Sequence, residues 1–260
     1  MTEAASGLVA ELWYAGPVDL TRPELLAALR VIAPDAEQQA ESIVVPHGSA
    51  VGDRPPLLSV AMVASELHAD GKQRPDPSQT WDWPAADDAV EAAQAAVLVT
   101  EMFADGYDAE ERASALGAVV RVLVEATGPL LVSWPHSQRV VDPYQETADD
   151  LDGVINVRLF GVAHDDDALV MDTLGLHVFH VPDVQCHFRD REPGEIAALL
   201  YGTAVYLFEH GDVIADGNTV SGADGEGRYV CRREPSLIGP HREVLDVDLG
   251  DPYAAGQRDR

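Results

Sequence analysis

The stretch Met171–Thr219, MDTLGLHVFHVPDVQCHFRDREPGEIAALLYGTAVYLFEHGDVIADGNT, decides how the chain reads. Its first part is apolar and extended as far as Phe188, with polar residues set into it and a bend expected at Pro182. Its second part predicts a helix over 193–210. Ile196, Leu199, Leu200, Thr203, Ala204 and Leu207 share one stripe of that helix, with Tyr201, Val205 and Phe208 beside it. So wide an apolar arc leaves no solvated side, so the helix is expected to be largely buried or to meet a second subunit, which leaves a homo-oligomer open. Gly211 suits the end of the helix and Asp216-Gly217 suits a hairpin turn, with strands expected near Val213, over 228–232 and over 244–247.

Working outward, residues 154–163 read as a strand, 164–167 as a polar turn, and a further strand runs through Met171. The acidic segment 147–153 reads as a link between halves at 1–146 and 154–250. The first half opens with a strand over 8–14. Thr21-Arg22-Pro23-Glu24 then carries a capping-box signature ahead of Leu25, Leu26, Leu29 and Ile32. Apolar runs at 42–46 and 57–64 read as two paired strands joined by a loose loop, and 95–102 as a buried strand. Asp108 with Glu111 predicts the start of a second helix, whose stripe is Leu116, Val119, Val120, Leu123 and Val124; Gly128-Pro129 ends it before a strand at 130–134. Allowing one extra strand, this order is like a ferredoxin-like βαββαβ unit. The expected class is α+β: antiparallel sheets with helices on one face, in two ferredoxin-like-type halves packed together. The tail after Asp251 is expected to fray.

The pattern Asp172-Thr173-Leu174-Gly175-Leu176, Pro182-Asp183-Val184-Gln185, Phe188, Leu200-Tyr201, Asp212 and Asp216-Gly217-Asn218-Thr219 resembles a bacterial family catalogued as a domain of unknown function, number four-two-six-one. The resemblance covers the C-terminal third and implies a fold boundary, with no chemistry attached.

Charge excludes some functions. With 17 Lys+Arg against 45 Asp+Glu the net charge is −28, a field that repels phosphate backbones, so no nucleic acid is expected as a partner. The same field speeds encounter with a basic protein. Lys72, the one lysine of the chain, sits in a polar, proline-flanked loop without the apolar pocket that Schiff-base chemistry requires. Cys186 and Cys231 are too few for a zinc ribbon, and a disulfide between them stays open. No stretch approaches the roughly 18 apolar residues of a membrane span. The expectation is a cytoplasmic protein with reduced thiols and no membrane partner.

Strong catalytic signatures are missing: there is no Gly-x-Ser-x-Gly, no His-Glu-x-x-His, and Gln73 follows Gly71-Lys72 where a phosphate loop needs Ser or Thr. His177, His180 and His187 fall close together, but His177 and His180 alternate to opposite faces on a strand, so no metal and no cofactor are expected. The candidate binding residues are Asp172, Asp183, Gln185, His187, Asp216 and Asn218. Of these, Asp183, Gln185 and His187 share one face at strand spacing. Asp172, Asp216 and Asn218 have a simpler role available, fixing turns through backbone hydrogen bonds. Trp81 and Trp83, in a proline-broken segment, offer aromatic anchors for a partner, or fold back to cap the core. Two functions follow as expectations: a non-enzymatic acidic protein-binding module, immunity-like or an adaptor for a basic partner; alternatively, an enzyme or small-ligand binder with a cleft at Asp183, Gln185 and His187.

Overall fold

The computed structural model describes residues 7–47, 56–62, 74–104, 106–145, 151–163, 165–222, 225 and 227–256. Lys72, Asp149 and Asp150 lie outside them. The chain divides into two units, Met1–Val154 and Ile155–Arg260. The class is α+β, with mostly antiparallel sheets.

The first unit runs β1 (Val9–Tyr14), α1 (Pro23–Ile32), β2 (Glu37–Gln39), β3 (Ser42–Pro46), β4 (Leu57–Met62), α2 (Ala86–Ala92), β5 (Ala95–Met102), α3 (Ala109–Thr127), β6 (Leu131–Trp134) and β7 (Arg139–Val141). Its sheet has the order β2-β3-β4-β5-β1-β6-β7, with every pairing antiparallel. The inner four, β4-β5-β1-β6, with α1 and α3 as the two crossovers, reproduce the strand order of a βαββαβ unit. Alternation in β1 sends Tyr14 towards α3, where its hydroxyl lies 2.8 Å from Thr127 Oγ1. Trp13 points the opposite way and packs with Val90, Ala93, Ala96, Leu131 and Val140. The short helix α2, absent from the sequence reading, therefore covers the second face, so the helices of this unit do not all lie on one side.

Two helix starts show how local chemistry is decided. Asp108 caps α3 as expected, accepting from the backbone N–H groups of Glu110 at 2.9 Å and Glu111 at 3.4 Å. Gly128 closes that helix in the left-handed region, φ +68°. The capping box at Thr21 does not form. Pro23 occupies the first helical position, Arg22 becomes the cap, and the Thr21 hydroxyl donates to Asp19 Oδ1 at 2.6 Å instead. Inside this unit Arg112 and Glu101 make a buried ion pair at 2.7 Å, and Glu101 also accepts from Leu8 N–H at 3.3 Å.

The second unit runs β8 (Asn156–Val162), β9 (Asp165–Leu174), a 3-10 turn (Leu176–Phe179), β10 (Asp183–Arg189), α4 (Pro193–His210), β11 (Thr219–Ser221), β12 (Arg228–Pro235) and β13 (Glu243–Asp248). The sheet order is β11-β12-β13-β10-β9-β8. It departs from a ferredoxin-like half in two ways: α4 is its one described α-helix, and β13 pairs with β10 in parallel. Helix α4 has the expected bounds and buries Ile196, Leu199, Leu200, Thr203, Ala204, Leu207 and Phe208. Val213 is loop rather than strand, and the β11–β12 hairpin closes beyond Asp216-Gly217, with Ser221 opposite Arg228. The tail is held through Gly256: Arg189 N–H donates to the Tyr253 carbonyl at 2.9 Å and Ala255 N–H to the His187 carbonyl at 3.0 Å. No helix among the described residues is long and apolar enough to cross a membrane.

Cys186 and Cys231 are both buried, and neither is in a disulfide. Val247 lies between them: Cys231 pairs with it across β12 and β13, and carrying the β10–β13 register one residue past Gln185 and Asp246 sets Cys186 beside Val247 on its other side. The thiols thus stand two strand spacings apart, about 9.6 Å between Cα atoms and beyond disulfide reach. Burial, reinforced by the Asp246 charge, pushes the Cys231 thiol up to about 11. At pH 7 roughly one molecule in ten thousand then carries its thiolate. Neither cysteine is expected to react with iodoacetamide in the native protein over hours, and both should react within minutes in denaturant. Fast native labelling at Cys231 would contradict this placement.

Candidate functional site

Strand register carries one polar residue per strand into a single line across the second sheet. Arg158 on β8 lies opposite Asp172 on β9, Asp172 opposite Gln185 on β10, Gln185 opposite Asp246 on β13, and Asp246 opposite Arg232 on β12. Directly opposed residues share a face, so all five project from one side, in the charge order plus, minus, neutral, minus, plus. The opposite side carries Met171, Val184, Cys186, Phe188 and Leu245, all buried and apolar.

Four of the five are sealed from water, Arg158 and Asp246 at 1% exposed and Asp172 and Gln185 at 0%, as is Asp183 at 0% beside Gln185 on the same face, while Arg232 is half-buried. Buried charges persist only when paired and hydrogen-bonded. Arg158 grips Asp172 with two parallel bonds, Nε to Oδ1 at 2.9 Å and Nη2 to Oδ2 at 2.6 Å. Arg242, from the 236–242 loop, bridges both aspartates: its Nη2 donates to Asp172 Oδ2 at 3.0 Å and its Nε to Asp183 Oδ2 at 2.8 Å. The same guanidinium donates to the carbonyls of Thr173 and Pro240, each at 2.8 Å. Asp183 also accepts from Leu176 N–H at 3.0 Å, with His177 Nδ1 at 3.4 Å. Gln185 donates to Asp246 Oδ1 at 3.2 Å and accepts from Leu237 N–H at 2.7 Å.

Desolvation is the leading influence on Asp172 and holds its pKa above the ordinary carboxylate value, even though Arg158 and Arg242 both pull it down. The sign follows from linkage. A pKa raised on folding makes this group's contribution greatest below the ordinary carboxylate pKa and lost as pH rises through the raised value. Burial thus penalises the Asp172 carboxylate, and the bonds from Arg158 and Arg242 work against that penalty. The set balances two guanidinium groups against two carboxylates, and ties β8, β9 and β10 to the 236–242 loop.

These contacts sort the sequence candidates. Asp172 does not fix a turn; it sits inside β9 between two arginines. Gln185 joins it in the row, and Asp183 lies two residues away on the same face of β10. His187 shares their face but lies against the C-terminal segment, where a Cβ on Gly256 would come within 2.6 Å of its Nδ1. His177 and His180 are in the 3-10 turn and its cap, not on a strand, because His180 takes the left-handed conformation at φ +60°. Asp216 and Asn218 do fix turns: Asp216 accepts from Arg233 N–H at 2.8 Å and Asn218 from Ala215 N–H at 3.0 Å. Among the described residues no group of three or more His, Cys, Asp or Glu side chains is placed to hold a metal.

Four members or partners of the row were not among the sequence candidates: Arg158, Arg232, Arg242 and Asp246. A signal existed for two of them, since Arg158 interrupts the apolar run 154–160 and Asp246 the run 244–247. Arg242, in a Pro-Gly-rich loop, left none.

In the first unit Trp83 packs against the cluster around Trp13, while Trp81 is 49% exposed. Between them Asp82 accepts two bonds from Arg139, at 2.9 and 2.6 Å, and this pairing holds its carboxyl below the ordinary value. Thr80 Oγ1 donates to the Val140 carbonyl at 3.2 Å. The tripeptide is thus clamped on both sides of Trp81. A cavity of about 570 Å³ lies elsewhere in this unit, lined by Val120, Arg121, Val124, Trp134, Val141 and Tyr144 among others. Two more, of about 390 and 550 Å³, lie along α4 in the second unit. None of the three is lined by Asp172, Asp183, Gln185 or His187.

No curated protein and no solved structure matches the chain. Residues 172–248 match the model of a family described as a domain of unknown function (DUF4261), so the segment carrying Asp172, Asp183, Gln185, Arg242 and Asp246 is the part of the chain similar to that family.

Proposed function

We propose that the protein is a non-enzymatic, acidic protein-binding module, of an immunity-like or adaptor kind, that takes a basic protein partner with Trp81 as an anchor. The observation that carries this reading is the presentation of Trp81. The backbone carrying this exposed indole is anchored by the Asp82–Arg139 fork and the Trp83 packing that follow it, so little backbone entropy is lost on binding. Exposed carboxylates of Asp76, Asp82, Asp87 and Asp88 surround it in sequence, which suits an arginine or lysine placed over the ring. The polar row supports the same reading indirectly. The hydrogen-bonding capacity of Asp172, Asp183 and Gln185 is used inside the fold, which leaves little for proton transfer to a substrate.

The test uses a basic partner recovered from the native cell and purified. Trp81→Ala should weaken its affinity by about 2 kcal/mol, roughly thirtyfold. Association should slow steeply as salt rises from about 0.05 to 0.5 M, because the Debye length falls from roughly 14 to 4 Å, while dissociation changes less. Affinity that ignores Trp81→Ala, together with an association rate that ignores salt, would sink the proposal.

A further inference from the structure

The second unit carries an unfinished sheet edge beside an open groove. Among the described residues strand β11 is the last strand on its side of the sheet and pairs only with β12. The inward hydrogen bonds run through Asn218 with Cys231 and Gly222 with Gly227, so by antiparallel alternation Val220 also bonds inward, while Thr219 and Ser221 turn their N–H and C=O groups away from β12. Among the described residues these outward groups have no partner. Such an edge is a template for one more strand.

Alongside it runs the groove. The two cavities of the second unit share Ala198, Leu199 and Gly222, so together they form one trough between α4 and the β11–β12 hairpin. Helix α4 presents Gly194, Ala198, Gly202 and Tyr206 to it at four-residue spacing, a ridge nearly stripped of side chains for its first three positions. A Cβ at Gly194 or Gly202 would meet nothing within 4 Å. Leu199, Ile214 and Val220 give the trough an apolar floor.

We propose that this trough binds an extended, basic peptide segment by strand addition to β11. The segment pairs its backbone with Thr219 and Ser221 and lays alternate apolar side chains against the small-residue ridge of α4. Charge selects this occupant. Glu195, Glu209, Asp212 and Asp216 stand exposed on α4 and the 212–216 turn. Two of them, Glu195 and Asp212, are matched by Arg191 and Arg233. A second copy of a chain with net charge −28 is repelled, whereas lysines alternating with apolar residues meet the acidic rim. The site goes beyond the Trp81 reading, since it lies in the other unit and in the segment similar to the unknown-function family.

The probe is a capped six-residue peptide of alternating valine and lysine, added to the full chain and followed by amide NMR. Saturable shifts at Thr219, Ser221 and Gly202 are expected, with slowed exchange of the Thr219 and Ser221 amides. Gly202→Leu puts a side chain into the trough from a position whose Cβ meets nothing within 4 Å, and should weaken binding roughly tenfold or more; N-methylation of alternate peptide residues should do the same by removing backbone bonds to β11. A valine–glutamate peptide should bind at least tenfold more weakly. Trp81→Ala should leave peptide binding unchanged, which separates this site from the Trp81 anchor. Overturning results are an absence of saturable shifts at millimolar peptide, binding indifferent to both Gly202→Leu and N-methylation, or β11 protection that grows with protein concentration alone. The last would make a second copy the occupant.

Discussion

Asp172→Asn is expected to destabilise the second unit by about 3–5 kcal/mol, the range found when one partner of a buried ion pair is removed. The wild-type set is neutral as a whole, with Arg158 and Arg242 facing Asp172 and Asp183. The substitution takes from Arg158, 1% exposed, the carboxylate it holds at 2.6 Å. The companion variant carries both Arg158→Met and Asp172→Leu. It removes one charge of each sign and leaves Arg242 paired with Asp183 at 2.8 Å, so it should recover most of the loss. The chain supplies separate probes for its units: all four tryptophans precede residue 154, and both cysteines follow it. Denaturation followed by thiol exposure therefore reads the second unit while indole fluorescence reads the first. A single variant that costs under about 1 kcal/mol, or a double variant no better than the single one, would show that the row is not the lock described here.

Leu200→Asp is the second large effect. Leu200 is fully buried on α4, whose stripe faces β9 and β10. An aspartate there would be buried within the packing of α4 on β9 and β10. The expected outcome is a loss of roughly 4 kcal/mol or more, enough to unfold the second unit in a protein of ordinary stability. A variant whose thiols stay protected to the wild-type denaturant midpoint would show that the stripe is misassigned.

The row and the helix differ in how far they could be read from the chain alone. Helix α4 was legible because its signal is local: Pro193 at the first turn, a stripe at helical spacing, and Gly211 at the end are all written within one segment. The same holds for α3 with Asp108 and Gly128, and for β5 at Ala95–Met102. The α+β class followed from the order of such segments, and the alternation that puts Asp183, Gln185 and His187 on one face followed from strand periodicity.

Pairing between distant strands was not local and could not be read. Nothing near Asp172 announces Arg242, seventy positions on, because the loop that delivers it is placed by β13 lying parallel to β10. Nor does the residue pattern of β10 say which strands flank it, and that neighbourhood turns a polar row expected to seek solvent or ligand into a closed network. The tail shows the same limit: read as frayed, it is held against β10 by backbone bonds that depend on the position of the sheet edge, not on its own composition. The sequence alone determined the periodic elements, their ends, and a charge of −28, since propensity, capping and net charge are sums over neighbouring or individual residues. Only the tertiary structure decided that Asp172, Asp183 and Gln185 are consumed inside the fold while Trp81 and the β11 edge are left open, because burial and hydrogen-bond partnership are properties of residues brought together from far apart in the chain.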